Sequence, residues 1–220
     1  MIEGLPIVKY GLPWLAGSLV LTAIFGYLSR KKSSLTLSAL CALFALCAFF
    51  FILFFRNPER HPQAEDLALI PGNPILAPAD GKITDIIQTD DSLRIGIFLS
   101  PLDYHVQRAP LAGRVTSILR KEGERLPANW PEASTKNASC AITIFNDSEK
   151  IEIQLKLITG IVARRIIPMV TENELLRIGQ RVGMIVLGSR VELTMPKKRV
   201  KLLIREGAKI KAGQSIIGVY

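Results

Sequence analysis

Three short stretches of this sequence set polar groups able to do chemistry among apolar, strand-like neighbours. The first is Pro78-Ala79-Asp80-Gly81, with one carboxylate. The second is Ser100-Pro101-Leu102-Asp103-Tyr104-His105-Val106-Gln107-Arg108-Ala109-Pro110, with one imidazole. The third is Gly188-Ser189-Arg190, between Val186-Leu187 and Val191-Glu192-Leu193. Carboxylate, imidazole and hydroxyl are the groups from which proton transfer and nucleophilic attack are built. Glycine permits backbone angles that other residues resist, so Gly188 can hold the Ser189 hydroxyl against the carbonyl carbon before it. Each stretch also has a plainer reading. Asp-Gly and Gly-Ser form turns between strands, and a single histidine can cap or pack.

The elements that must position these groups fall into two parts. Of the 220 residues, 49% are hydrophobic, and the excess is concentrated at the N-terminus. Tyr10–Ser29 and Ser33–Phe55 are runs without a charge, each long enough to cross a hydrocarbon core as a helix. Residues 1–60 are therefore expected to form a hydrophobic membrane anchor with two apolar segments, about 10–29 and 33–55, and residues 61–220 a separate domain. Net charge is +9. Up to Phe55, Lys9, Arg30, Lys31 and Lys32 stand against Glu3, which makes +3 and leaves +6 beyond. A basic domain beside a bilayer suits anionic headgroups. Nucleic acid is not the expected partner, because aromatics are few outside the apolar runs and no binding motif is visible. His61 and His105 are the only histidines, and Cys41, Cys47 and Cys140 have neither disulfide-framework nor zinc spacing, so no metal site is expected.

The second part reads as mainly β, in short β-branched runs punctuated by Gly, Pro, Asn and Asp. The runs are Gly81–Ile87, Leu93–Leu99, Gly113–Leu119, Ala141–Phe145, Ile151–Ile158, Arg181–Val186 and Arg190–Thr194. Ala163–Ile167 and Glu172–Arg177 are expected as short helices or turns. An internal repeat matches Ala77-Pro78-Ala79-Asp80-Gly81-Lys82-Ile83-Thr84-Asp85-Ile86 to Ala109-Pro110-Leu111-Ala112-Gly113-Arg114-Val115-Thr116-Ser117-Ile118. Two like units suggest a folded-over barrel or sandwich with pseudo-symmetry. Glu206-Gly207 followed by Gly213-Gln214 resembles the turns of lipoyl and biotinyl domains. The expected fold is thus a barrel-sandwich-hybrid-like β domain with a pseudo-repeat, preceded by an α-helical hydrophobic anchor.

Together and in this order, these stretches resemble the phosphatidylserine decarboxylase family over essentially the whole chain. Phe55-Arg56-Asn57-Pro58 matches the exit of the family's anchor. Pro78-Ala79-Asp80-Gly81 resembles its aspartate motif, and Ser100 to Pro110 its histidine motif. Ala133-Ser134-Thr135-Lys136-Asn137 is similar to a downstream Ala-Ser-x-x-Asn element. Gly160–Ile166 and Gly179–Ile185 lead into Gly188-Ser189-Arg190, which matches the short, compact branch.

The resemblance implies a proenzyme that cuts itself between Gly188 and Ser189. The Ser189 hydroxyl attacks the Gly188 carbonyl and turns the amide into an ester. β-Elimination then frees residues 1–188, and the dehydroalanine left at 189 loses ammonia to become a covalent pyruvoyl group. The mature enzyme is then a heterodimer of a β chain, 1–188, and an α chain, 189–220. It converts phosphatidylserine to phosphatidylethanolamine and CO2 through a Schiff base, as a pyruvoyl-dependent carboxy-lyase. By motif, Ser189, His105 and Asp80 are implied as catalytic. His105 transfers the proton and Asp80 orients and charge-stabilises it. Arg108 stands where longer members carry a second histidine. Arg108 and Arg190 are candidates to bind the lipid phosphate or the substrate carboxylate.

Two other readings fit parts of the sequence. One is the same chemistry on another serine phospholipid, such as archaetidylserine. The other is a non-catalytic, lipoyl-like, membrane-tethered adaptor modified on Lys197 or Lys198, which leaves Asp80, His105 and Ser189 unexplained. The family implies the cell membrane, with the catalytic domain facing the cytoplasm. A higher oligomer is compatible with the sequence.

Overall fold

A computed structural model describes residues 9–62, 70–161, 165–186 and 189–220, with the side chain of Ser189 left out. The chain divides into two compact units between Pro58 and Glu59.

The first unit is a helical hairpin. Helix α1 runs Leu12–Lys32 and α2 runs Leu35–Phe54. Pro13 lies in the first turn of α1, where its missing N–H costs nothing, and Arg30, Lys31 and Lys32 close the last turn, where cations suit the helix dipole. Ser33 turns the chain in a left-handed conformation, with φ at 46°. The two helices pack through stacked Phe25 and Phe44, 5.4 Å apart. Both are long and apolar enough to cross a membrane.

The second unit is mainly β, as expected. In chain order its strands are β1 (Pro74–Leu76), β2 (Gly81–Gln88), β3 (Ser92–Leu99), β4 (Val106–Arg108) and β5 (Gly113–Lys121). A short helix α3 (Ala133–Lys136) follows, then β6 (Ser139–Asn146), β7 (Ile151–Thr159), β8 (Arg165–Pro168), β9 (Leu175–Leu176) and β10 (Arg181–Val186). The last are β11 (Ser189–Pro196), β12 (Lys201–Leu202), β13 (Lys209–Ile210) and β14 (Ile216–Val219). An eight-stranded sheet has the order β13-β2-β3-β11-β7-β6-β5-β9. Two three-stranded sheets, β1-β14-β12 and β4-β10-β8, accompany it. One apolar core draws on all three, with Ile75, Ile97, Ile142, Leu157, Ile185, Val191 and Ile217 among its members.

The expectation of a short helix or turn near 163–167 is corrected, and that near 172–177 holds for the turn at Glu172–Asn173 and not for the residues after it. Ala163 and Arg164 lie outside the described residues, but residues 165–168 form β8, paired to β10. Leu175–Leu176 form β9, paired to β5. Tertiary pairing overrides weak local preference in such short runs.

The repeat is a real pseudo-two-fold. It relates β13-β2-β3-β11 to β9-β5-β6-β7. Strands β2 and β5 are bulged at equivalent places, between Ile83 and Asp85 and between Val115 and Ser117. The bulged backbone is satisfied alike in both halves. The Ile86 N–H donates to Glu206 Oε1 at 2.8 Å, and the Ile118 N–H to Glu172 Oε1 at 2.9 Å. Gly81 and Gly113 open the two strands where a Cβ would lie 2.2 Å from the Phe98 carbonyl oxygen and 2.6 Å from that of Phe145. A side chain at either place would push the paired strands apart.

Candidate active site

The head of β11 is where the stretch bearing His105 comes beside that of Ser189. Ser189 pairs with Leu99 on one side and Thr159 on the other, so residue 189 enters the middle of the large sheet. Gly188 and Leu187 lie outside the described residues. The last residue of β10 before them, Val186, pairs with Arg165 of β8. On the other flank of β10, the Ile185 N–H donates to the His105 carbonyl at 3.3 Å. The histidine stretch leaves β3 at Leu99, opposite Ser189, and returns beside Ile185. Backbone pairing alone therefore brings His105 beside the end of β10.

Each residue of that stretch has a geometric task. Pro101 suits the second position of a turn, closed by the Asp103 N–H donating to the Ser100 carbonyl at 3.0 Å. The Asp103 carboxylate accepts the Ser100 N–H at 2.7 Å. The Asp103 carbonyl lies 2.8 Å from His105 Nδ1. A carbonyl can only accept, so Nδ1 carries the proton and Nε2 is the nitrogen that takes up a proton in the neutral ring. His105 is fully buried.

Asp80 is buried just before Gly81, which pairs with Ile210 of β13. Its carboxylate is clamped by the Arg60 guanidinium, with Nη1 on Oδ1 and Nη2 on Oδ2, and Oδ1 also accepts the Ala212 N–H at 2.8 Å. Arg60 stacks on the Tyr104 ring, 4.1 Å from its centre. Thus the ring of His105 is oriented by Asp103, while the oxygens of Asp80 are engaged with Arg60 and Ala212. Arg108, also buried, donates to the Gly179 carbonyl at 2.9 Å. Burial, and then the nearby Arg181 and Arg60 charges, lower its pKa to about 10.

Arg190, a candidate for substrate binding, is engaged within the sheet. Its guanidinium donates to Glu192 Oε1 at 2.9 Å, Thr84 Oγ1 at 3.2 Å and Asp85 Oδ1 at 2.6 Å. Only 5% of the residue is exposed. The ion pairs cross the sheet over Gly96, where a Cβ would lie 2.3 Å from Asp85 Oδ1. For Asp85, burial opposes ionisation, but hydrogen bonds from Thr84 and Arg190 and the charges of Arg190 and Arg94 outweigh it and hold the pKa below the ordinary value. Ser134 and Arg94 close the network on Glu192 Oε2, at 3.0 and 3.3 Å. Asn137 donates to the Thr159 carbonyl at 2.7 Å. The Ala133–Asn137 element thus clamps β11 and its neighbour β7 beside residue 189.

Arg60, Gln107 and the Asp85–Glu192 network are missing from the sequence reading. The repeat offered a signal for part of the site. In its register, Asp80 corresponds to Ala112, Arg108 to Leu76 and Gln107 to Ile75. At each of these pairs one half of the pseudo-dimer places a polar side chain where the other has an apolar one, Asp80 in the first half and Gln107 and Arg108 in the second. Gln107 is fully buried, and neither atom of its amide has a hydrogen-bond partner among the described residues. Lys197 and Lys198, the adaptor's candidate attachment points, sit in a 3-10 turn after β11, with Lys198 3.3 Å from Asp91.

Comparison with known proteins points to one family. A family model described as phosphatidylserine decarboxylase matches residues 47–218. A phosphatidylserine decarboxylase proenzyme of Syntrophus aciditrophicus (strain SB) is 35% identical over 222 aligned positions, covering 97% of each chain. A putative archaetidylserine decarboxylase proenzyme of Methanosarcina barkeri is 36% identical over 205, covering 93% of this chain and 94% of its own. A phosphatidylserine decarboxylase proenzyme of Salinibacter ruber is 39% identical over 176, covering 77% and 75%.

Proposed function

The chain belongs to the phosphatidylserine decarboxylase family, and from that premise we propose that it is a proenzyme that cuts itself between Gly188 and Ser189 and then decarboxylates phosphatidylserine. The observation that carries this reading is the register of β11. Residue 189 heads a central strand, and the loop bearing His105 runs from the residue opposite it to the strand that precedes it.

In the self-cleavage, Ser189 Oγ attacks the Gly188 carbonyl while a base takes its proton. The amide nitrogen receives a proton as the C–N bond breaks and an ester forms. Loss of the Ser189 Cα proton then breaks the Cβ–O bond, releasing Gly188 as a carboxylate. Water replaces the nitrogen of the resulting dehydroalanine, and ammonia leaves. We assign the proton transfers to His105, because Asp103 fixes its tautomer and orientation.

A pyruvoyl group at residue 189 supplies a ketone to capture the serine amine and a conjugated carbonyl to hold the charge left by CO2. Its position fits the residues around it. The Leu99 and Thr159 backbones flank it, and the buried Arg190–Glu192–Asp85 network anchors the residues that follow it in the strand. His105 delivers the proton that replaces CO2. Asp80, clamped by Arg60 and the Ala212 N–H, is assigned the supporting electrostatic role. Arg108 balances the charge of Asp80 and supports an anionic substrate.

Asp80→Asn keeps an oxygen for the Ala212 N–H and removes the charge. We expect the protein to fold and to lose activity by between about tenfold and a hundredfold. Paired thermal melts and CO2-release assays check this, and wild-type turnover in the folded variant would remove Asp80 from the mechanism.

The two products, 1–188 and 189–220, are expected to stay together as one heterodimeric enzyme. The first unit serves as the anchor and the second as the decarboxylase domain, held at the cytoplasmic face of the cell membrane. The Methanosarcina relative favours a second reading, in which the substrate is archaetidylserine. Parallel assays on diacyl and diether serine phospholipids decide between them. Faster turnover of the diether lipid would displace phosphatidylserine as the substrate.

A further inference from the structure

With Arg190 locked in its own ion pairs, the lipid phosphodiester needs another partner. Strand β10 has two neighbours, β4 and β8. His105 occupies the β4 side. The other flank carries a cleft of about 200 Å³, lined by Arg120, Lys121, Arg125, Thr159, Arg165 and their neighbours. Two of its walls are fixed to the cleavage site by register, since Thr159 pairs with Ser189 and Arg165 with Val186. Four cations stand against one carboxylate, Glu122, so the cleft is strongly electropositive. Lys121 is positioned by donating to the Thr135 carbonyl at 2.6 Å.

We propose that this cleft holds the phosphodiester of the serine phospholipid while its serine end reaches residue 189. The inference rests on the decarboxylase reading and names the headgroup site that reading lacks. The volume is below the roughly 300–1,000 Å³ that encloses a drug-sized ligand, so it admits a headgroup and leaves the hydrocarbon tails outside. Arginine forks suit phosphate oxygens, and three of the four cations are arginines. Exposed apolar side chains lie next to these residues along the chain. Leu119 precedes Arg120, Ile161 follows Thr159 by two, and Trp130 lies in the loop after Arg125; each is at least half exposed. A rim that mixes aliphatic residues and tryptophan with Lys and Arg suits the headgroup level of a bilayer. Protons are then handled on the β4 side of β10 and phosphate on the β8 side.

Two measurements test this. The first compares wild type with R120Q/R125Q on phosphatidylserine in mixed micelles, using K197Q/K198Q as a remote control for general charge. Intact mass should show both arginine-variant chains cut. KM should rise about tenfold or more, with kcat within about twofold, and the control should match wild type. The second measures sn-glycero-3-phosphoserine binding by calorimetry in the Ser189→Ala background, where no covalent capture is possible. R120Q/R125Q and, separately, R165Q should weaken that binding about tenfold, and inorganic phosphate should bind more weakly than the headgroup.

An unchanged KM, an equal shift in the control, or headgroup affinity indifferent to these arginines overturns the proposal. Equal affinity for inorganic phosphate also overturns it, leaving a general anion site. Headgroup binding that depends on the arginines, in a wild-type protein that releases no CO2, would instead remove the decarboxylase reading and keep the cleft.

Discussion

Ser189→Ala protein is expected to remain a single chain of about 24.3 kDa, to fold as wild type does, and to release no CO2 from phosphatidylserine. Wild type is expected to give two chains, the smaller running from residue 189 to Tyr220 with an amino terminus blocked to sequencing. The physical argument is that alanine has no oxygen to attack Gly188, so neither the ester nor the ketone can form. Strand β11 keeps its backbone pairing to β3 and β7 whatever the side chain at its head. Intact mass, circular dichroism and a CO2-release assay on one preparation check all three parts. A single-chain wild type, or CO2 release by Ser189→Ala, sinks the pyruvoyl mechanism.

The next largest effect is expected at His105. A positioned acid/base group contributes roughly 10²–10⁴ in rate, and His105→Ala should lose a factor in that range. Because His105 is fully buried, the alanine variant also leaves a cavity. His105→Asn is the cleaner test. Its amide can still donate toward the Asp103 carbonyl that now holds Nδ1, but it cannot exchange a proton at working pH. The folded Asn variant should cut itself slowly, and whatever fraction is cut should decarboxylate slowly. Following chain cleavage and CO2 release separately scores the two steps. If only cleavage slows, another group protonates the product; if neither slows, the ring is structural.

The long strands were legible because alternation of β-branched residues survives in sequence. Gly81–Gln88, Ser92–Leu99 and Ile151–Thr159 begin or end within a residue or two of the expected runs. Strand order was not, because β11 inserts between β3 and β7 through long-range pairing that no local pattern encodes. The first half of the repeat, at Ala77 and Ala109, was legible. Its companion at Glu172 and Glu206 carries the same Glu-to-Gly-Gln spacing and could have been found. The site divides in the same way. His105 and Asp80 were recognised by motif, but Arg60 reaches Asp80 from the linker, well upstream in the chain, with no spacing rule to announce it. The ion pairs of Arg190 were legible in part. Alternate residues of a strand share a face, so Glu192 was always its natural neighbour. Asp85, brought across Gly96 from another strand, was not foreseeable.

The path of the segment from Ser189 to Tyr220 through the sheets has a consequence for how the enzyme can recover from unfolding. β11 lies between β3 and β7, β13 pairs with β2, and β14 lies between β1 and β12. Before cleavage, all of these pairings form within one molecule. Afterwards all of them except the pairing of β14 with β12 must form between two. Refolding changes its kinetic order: first order for the uncut chain, second order for the mature enzyme. Mature protein diluted from denaturant should recover less activity the lower its concentration. Ser189→Ala should regain its native circular dichroism to the same extent at every dilution. Concentration-independent recovery of the mature enzyme would mean that the two pieces never separate, even when unfolded. With recovery that falls on dilution, the cut that makes the reactive group also makes folding, for practical purposes, a single event in the protein's life.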